Sequence, residues 1–233
     1  MKFDSPPVNL AVAPITHAAG MLATGTLAMG GTVVLLTSTR PQDILSAIER
    51  HQVSTILLPP TLIYMLLTDP ELGRYDLGSL KYLMSAAAPI DADRIRAVFT
   101  KIGPAFCQAY GQTECGMLLT FMSPEDVGQA ISDESLSGRL ASVGRPVPSL
   151  KRLEIIDDQG NVLDAGKIGE IAISGPTVMR EYVGDPEGSS SVKQAGMQCT
   201  GDLGYLDNDG YLYITDRKRD LIISGGFNIY PSQ

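Results

Sequence analysis

Four short stretches of this chain carry side chains that could do chemistry. Tyr110-Gly111-Gln112-Thr113-Glu114 follows an apolar run, Phe106–Ala109, that reads as a β-strand. A threonine hydroxyl and backbone N–H groups just beyond the carboxyl end of a strand can bind a phosphate oxygen. The neighbouring glutamate can hold the hard cation that phosphates bring with them. Ser85-Ala86-Ala87-Ala88-Pro89 follows a second such run, Lys81–Met84, and its small residues let a flat ring or an acyl chain approach the backbone. Read alone, both stretches serve equally well as ordinary strand-to-helix turns with a capping residue. Gly201-Asp202-Leu203-Gly204-Tyr205 sets a carboxylate beside glycines, which suits a ribose diol or an Asx turn before a hairpin. Asp216-Arg217-Lys218-Arg219-Asp220 offers a guanidinium for a phosphate or ribose, and is also what a solvated charged surface looks like.

Other chemistries lack their residues. There is no GxxxxGK phosphate loop, no GxGxxG fingerprint and no GxSxG nucleophile elbow. The missing glycine fingerprint argues against a dinucleotide-dependent oxidoreductase. The only histidines, His17 and His51, lie far apart in sequence, which gives a Ser-His-Asp triad weak support. Cys107, Cys115 and Cys199 show no CxxC spacing, which points to a reducing compartment rather than a disulfide framework or a zinc site. With 18 basic and 26 acidic residues the net charge is −8, a field that repels polyanions, so nucleic acid is not an expected partner. A small anionic ligand held by a few local cations stays compatible with that charge. A hydrophobic share of 44% against 19% charged residues excludes disorder and provides for a packed core.

The elements that must position these stretches alternate along the first half. Residues Asn9 to Arg40 carry no acidic or basic side chain before Arg40 apart from His17, long enough to span a bilayer. Pro14, Gly20, Gly25, Gly30 and Gly31 break that run into strand Leu10–Ala13, helix Ala18–Met29 and strand Thr32–Leu36. No membrane span is therefore expected, and Asp4 directly after Lys2 disfavours a signal peptide, giving a cytoplasmic expectation. Pro41 opens a helix whose Ile44, Ala47, Ile48 and His51 share a face. Thr55–Leu58 predicts a strand, Thr61–Leu67 a helix, and Ile95, Val98, Phe99 and Ile102 a further helix that Gly103 ends. Strands alternating with helices imply a parallel sheet with helices packed on it, and strands apolar throughout imply two covered faces. Beyond residue 141 the pattern changes to short runs, Leu153–Ile156, Glu170–Ser174 and Tyr211–Thr215, separated by Asp157–Gly160 and Asp207–Gly210 turns. The expected fold is thus α/β over 1–141, followed by a small antiparallel β-barrel-like subdomain over 142–215, with 216–233 as a hinge and the start of a C-terminal domain. The segment Gly184–Gln198 reads as a mobile loop.

Taken jointly, Tyr110–Glu114, Gly201–Asp202 and Asp216–Arg217, in this order and spacing, resemble the adenylate-forming (AMP-binding) superfamily. The tail from Asp220 to Pro231 (Asp-Leu-Ile-Ile-Ser-Gly-Gly-Phe-Asn-Ile-Tyr-Pro) is similar to acyl- and aryl-CoA synthetases, and Val143-Gly144-Arg145-Pro146 and Pro14-x-x-His17 also fit. The resemblance implies activation of a carboxylic acid with MgATP as an acyl-adenylate, then transfer to the thiol of coenzyme A. It implies Thr113 on the α-phosphate, Glu114 on Mg²⁺ and His17 at the acyl pocket, where a buried or capping histidine is the plain alternative. Ala86, Ala87, Ala88, Ala109, Tyr110, Gly111, Thr113, Asp202, Ile214 and Arg217 would bind nucleotide, with Tyr110 near the adenine and Asp202 on the ribose. Gly225 and Gly226 would meet coenzyme A, and Arg219 stands at a hinge position usually filled by Asp or Lys. Ala87 replaces a common glycine, and Met197 and Cys199 stand where an aromatic residue and a histidine are frequent.

The family's upstream phosphate loop and its small C-terminal domain have no counterpart in these 233 residues. The expectation is therefore a partial large domain of an acid–CoA ligase, with weak nucleotide binding at best and no appreciable turnover by itself. A non-catalytic nucleotide- or acyl-binding module is the alternative, and the acyl substrate and oligomeric state stay open.

Overall fold

The structure, a computed structural model, describes residues 1–86 and 90–218, together with the backbone of 222–224 and 227–229. The chain divides into two compact units, residues 1–108 with 122–141, and residues 109–121 with 142–233.

In the first unit, five strands run parallel in the order β2-β1-β3-β4-β5: β1 (Val8–Ala11), β2 (Thr32–Leu35), β3 (Thr55–Leu58), β4 (Tyr82–Ser85) and β5 (Phe106–Tyr110). Helices α1 (Ala18–Ala28), α2 (Pro41–His51), α3 (Pro60–Thr68) and α4 (Ala92–Lys101) make the crossovers. The expected α/β alternation is what the structure shows, with β1 at Val8–Ala11 rather than Leu10–Ala13 and β4 at Tyr82–Ser85 rather than Lys81–Met84. Asn9 lies within β1, buried, with its Nδ2 donating to the Thr55 carbonyl at 3.3 Å. Pro41 occupies the first turn of α2, where its missing N–H costs nothing, and Asp43 pairs with Arg40 at 2.8 Å. Asp91 caps α4 by accepting the Arg94 amide. Ile44, Leu45 and Ile48 of α2, Ile63 and Leu66 of α3, Ile95 and Val98 of α4, and Leu10, Ile56, Leu58, Leu83 and Phe106 of the sheet form one apolar core. At about 25 cal/mol per Å² of apolar surface, that burial is the main force holding the unit together. A further helix, α5 (Pro124–Ser132), opens on a capping box in which Ser123 and Asp126 satisfy each other's backbone N–H.

The second unit is antiparallel. β8 (Arg152–Ile156), β9 (Gly169–Ser174), β11 (Met197–Leu206) and β10 (Lys193–Gln194) lie side by side, and β12 (Leu212–Arg217) pairs with β11. Short strands β6 (Thr120–Met122) and β7 (Arg145–Pro146) pair with each other, as do β13 (Ile222–Ser224) and β14 (Phe227–Ile229). The curled sheet closes over Cys115, Leu119, Val143, Leu153, Ile155, Ile171, Ile173 and Leu212. This is the expected half-barrel. Within it the segment 184–198, expected as a mobile loop, holds helix α6 (Pro186–Ser191) and the start of a hairpin. Asp185 accepts the Gly188 amide at 2.8 Å and Pro186 fills the first helical position. Ala195 and Gly196 both take left-handed φ, +50° and +75°, the pair that a tight two-residue hairpin turn requires.

Among the described residues no helix is long and apolar enough to cross a membrane.

Candidate functional site

The loop after β5 is shaped by one glycine. Gly111 packs against the backbone of Met117 and Leu118, and Met117 donates its amide to the Gln112 carbonyl at 2.9 Å. Gly116 and Met117 both lie at left-handed φ, +76° and +68°, a conformation that is strained for methionine. The loop is therefore folded back on itself, with Leu119 returning its amide to Tyr110 at 2.8 Å. Thr113 is exposed on a single 3-10 turn, its Oγ1 3.7 Å from the Sδ of Met117, a weak acceptor. Glu114 is half-buried and accepts from the Tyr182 hydroxyl at 3.1 Å, while its carbonyl accepts the Met179 amide at 2.8 Å.

Asp202 is reached from 92 positions away in the chain by Tyr110, whose hydroxyl donates to Asp202 Oδ2 at 2.7 Å. On its other side Arg217 Nε lies 3.6 Å from Asp202 Oδ1. Burial first, and the charge of Asp202 second, push the Tyr110 hydroxyl far above its usual pKa, so it donates at any working pH. The Asp202 side chain is only 16% exposed and Arg217 is 60% exposed, so the carboxylate is held while the guanidinium reaches solvent.

The reading of Gly201-Asp202 as a turn before a hairpin is corrected here. Both residues lie inside β11, at a bulge where the register to β9 slips between Cys199 and Leu203. Gly201 adopts φ +76°, and Asp202 stands opposite Arg217 on β12. A bulge re-aims a side chain without ending the strand, which a local reading of Gly-Asp as a turn does not anticipate.

Tyr110, Asp202 and Arg217 are thus brought together within the second unit, and Gly111, Thr113 and Glu114 continue the loop that Tyr110 opens. Ala109 is buried in β5, and Ile214 is exposed on β12 opposite Gly204. Ala86 and His17 belong to the first unit. His17 is exposed at the N-terminus of α1 and its side chain makes no capping bond, so it is neither buried nor a side-chain cap. Ala87, Ala88, Arg219, Gly225 and Gly226 lie outside the described residues. Three residues were passed over in the sequence: Tyr182, Glu170 and Lys218. Glu170 carried a usable signal, because a glutamate inside an otherwise apolar strand is almost never buried without a charged partner.

All three thiols are free and buried. Burial pushes Cys115 up to about 11, and it raises Cys107 and Cys199 as well. The thiolate is the reactive form. A thiol reagent at about pH 8 should therefore titrate no cysteine rapidly in the native protein and all three after denaturation. One fast native equivalent would show that a thiol is more accessible than the structure allows.

A family model described as AMP-binding enzyme matches residues 2–183. The chain belongs to the AMP-binding enzyme family. A medium/long-chain fatty-acid–CoA ligase of Mycobacterium tuberculosis is 34% identical over 232 residues, covering 100% of this chain and 39% of the ligase. Among solved structures, the amide bond synthetase of Marinactinospora thermotolerans aligns with TM-score 0.87 and 36% identity over 97% of this chain and 45% of its own. The O-succinylbenzoate coenzyme A synthetase of Bacillus subtilis, in complex with ATP and magnesium ion, gives 0.85 and 33% over 99% of this chain and 46% of its own. The chain therefore spans less than half the length of each of these three proteins.

Proposed function

We propose that the protein takes part in ATP-dependent activation of a carboxylic acid as an acyl-adenylate, with transfer to the thiol of coenzyme A. The observation that carries this reading is the Tyr110–Asp202–Arg217 constellation beside the Thr113–Glu114 loop, in a chain of the AMP-binding family. A carboxylate fixed from two sides is a rigid double acceptor, and a ribose offers two hydroxyl donors. Holding it beforehand avoids reorganisation when the ligand arrives. The exposed Thr113 hydroxyl, held only by its weak contact with the Met117 sulfur, can turn to donate to an α-phosphate oxygen, which gains charge as pentacovalent phosphorus develops. In the reaction, an oxygen of the acid attacks the α-phosphorus and pyrophosphate leaves; the sulfur of the thiol then attacks the acyl carbon, AMP leaves and the thiol proton goes to solvent.

The donor set fits Mg²⁺ carried in on phosphates. Among the described residues no three His, Cys, Asp or Glu side chains converge to cage a metal. Mg²⁺ is ordinarily bound through one or two carboxylates plus substrate phosphates, and Glu114 is such a carboxylate. The ion would neutralise phosphate charge there.

An acid-dependent exchange of labelled pyrophosphate into ATP tests the activation step. If the complete protein that carries this chain binds AMP but shows no exchange with any of a panel of aliphatic and aromatic acids, it is a non-catalytic nucleotide module instead. Because the solved amide bond synthetase belongs to the same fold group, an amine should be offered as acceptor alongside coenzyme A, and the thioester should be the product that accumulates. For the ribose assignment, Asp202→Asn keeps the shape but removes the charge, and should weaken AMP binding about tenfold by calorimetry. Unchanged affinity would remove Asp202 from the site.

A further inference from the structure

At the bulge in β11, the amide of Gly201 leaves the ladder with β9 and would be orphaned. Glu170, the second residue of β9 and only 8% exposed, takes that amide on Oε1 at 3.2 Å. Its other oxygen accepts from Lys218 Nζ at 2.8 Å, and Lys218 also pairs with Asp158 at 2.9 Å. Lys218 directly follows Arg217 at the end of β12. One buried carboxylate therefore ties down both the bulge that aims Asp202 and the strand end that carries Arg217. Asp202 in turn donates its amide to Thr200 Oγ1 at 3.1 Å, so the turn of the bulge is fixed on both sides of Gly201.

We infer that Glu170 and Lys218 form a clamp that sets the carboxylate of Asp202 and the guanidinium of Arg217 for the ribose, acting as positioning residues that do not touch the nucleotide. This inference rests on the ribose assignment made above. A buried carboxylate needs a charged partner to be tolerated at all. Here that partner comes from the strand bearing the second ribose-side group, so the two ends of the clamp hold the two sides of Asp202. Burial opposes the charge on Lys218, yet its hydrogen bond with Glu170 prevails and holds the ammonium up to about 12. The clamp is thus closed throughout the pH range in which the protein would work.

The probes are AMP and 2′,3′-dideoxyadenosine 5′-monophosphate, titrated by calorimetry into the wild-type protein, Glu170→Gln and Lys218→Met. Glu170→Gln keeps an acceptor for the Gly201 amide and loses only the ion pair. Lys218→Met leaves Glu170 intact and keeps an apolar stem, and so remains informative if the first variant fails to fold. The wild type should prefer AMP, and each variant should lose about tenfold in AMP affinity with little change for the dideoxy analogue, the scale of one charge-assisted hydrogen bond. If the variants keep the full preference, the clamp is overturned while the ribose assignment stands. Equal losses for both ligands would reduce the pair to a fold-stabilising role and overturn it too. A wild type that does not distinguish the two ligands overturns the ribose assignment itself, and the clamp with it.

Discussion

Gly111→Ala should lower the affinity for AMP about a hundredfold and leave the first unit's unfolding midpoint unchanged. A methyl group on Gly111 would overlap the carbonyl oxygen of Met117 and come within 2.9 Å of the Leu118 amide nitrogen. All of these neighbours are backbone atoms, so no side-chain rotation relieves the clash. The loop must open by about an ångström, and displacements of that size at a binding or reacting centre can cost about a hundredfold. The strained φ of Met117 leaves the loop little further freedom to absorb the change. Calorimetric titration with AMP, together with denaturant unfolding, checks both halves of the expectation. If Gly111→Ala binds AMP within about threefold of wild type, the loop is not part of the nucleotide site in the way its geometry implies.

What could be read beforehand divides by the range of the interaction responsible. The β/α order of the first unit follows from local periodicity, because Ile44, Ala47 and Ile48 or Ile95 and Val98 mark buried faces by their spacing alone. The capping box at Ser123 and Asp126 was equally local, and α5 was nevertheless passed over, as was the Asp185-Pro186 start of α6. Both signals are local to the sequence; in 184–198 Gly188 and the three serines favour reading a mobile loop instead. The bulge at Gly201 was different in kind. It is a mismatch of register between β11 and β9, and no window of residues around Asp202 contains it. The Tyr110–Asp202 bond joins positions 92 apart and the Glu170–Lys218 bond positions 48 apart. Only the family resemblance linked the first pair to a common ligand, and nothing linked the second.

The charge pattern at the site explains why the overall acidity of the chain does not decide its ligand. A net charge of −8 acts over a whole surface that salt screens beyond about 8–10 Å. Within the second unit the local arrangement is fixed instead by short contacts: Arg217 beside Asp202, and Lys218 between Glu170 and Asp158. Lys218 is spent on carboxylates, which among the described residues leaves the exposed Arg217 as the cation of that strand end able to meet a phosphate or ribose. A ligand with one compact anionic group and a neutral, hydroxyl-rich body matches that allocation better than an extended polyanion does.

The second large effect concerns stability. Phe106 opens β5, the strand that ends in Tyr110, and is fully buried at 0% exposure in the first unit's core. Its backbone partner across the parallel sheet is Leu83, itself fully buried. A packed core of this kind collapses only in part around a lost side chain, so truncation costs the transfer energy plus a cavity. Phe106→Ala should therefore destabilise the protein by about 3–5 kcal/mol. Against a typical total of about 5–15 kcal/mol, that is enough to bring a single domain near its threshold. Phe99→Ala on α4 provides the contrast: its ring is only half-buried, and the loss should be clearly smaller. Urea unfolding followed by circular dichroism measures both variants, read as shifts in midpoint at constant slope. A loss below about 1.5 kcal/mol for Phe106→Ala would mean that the sheet can close over the vacated space, and that the core is less tightly fixed than its burial indicates.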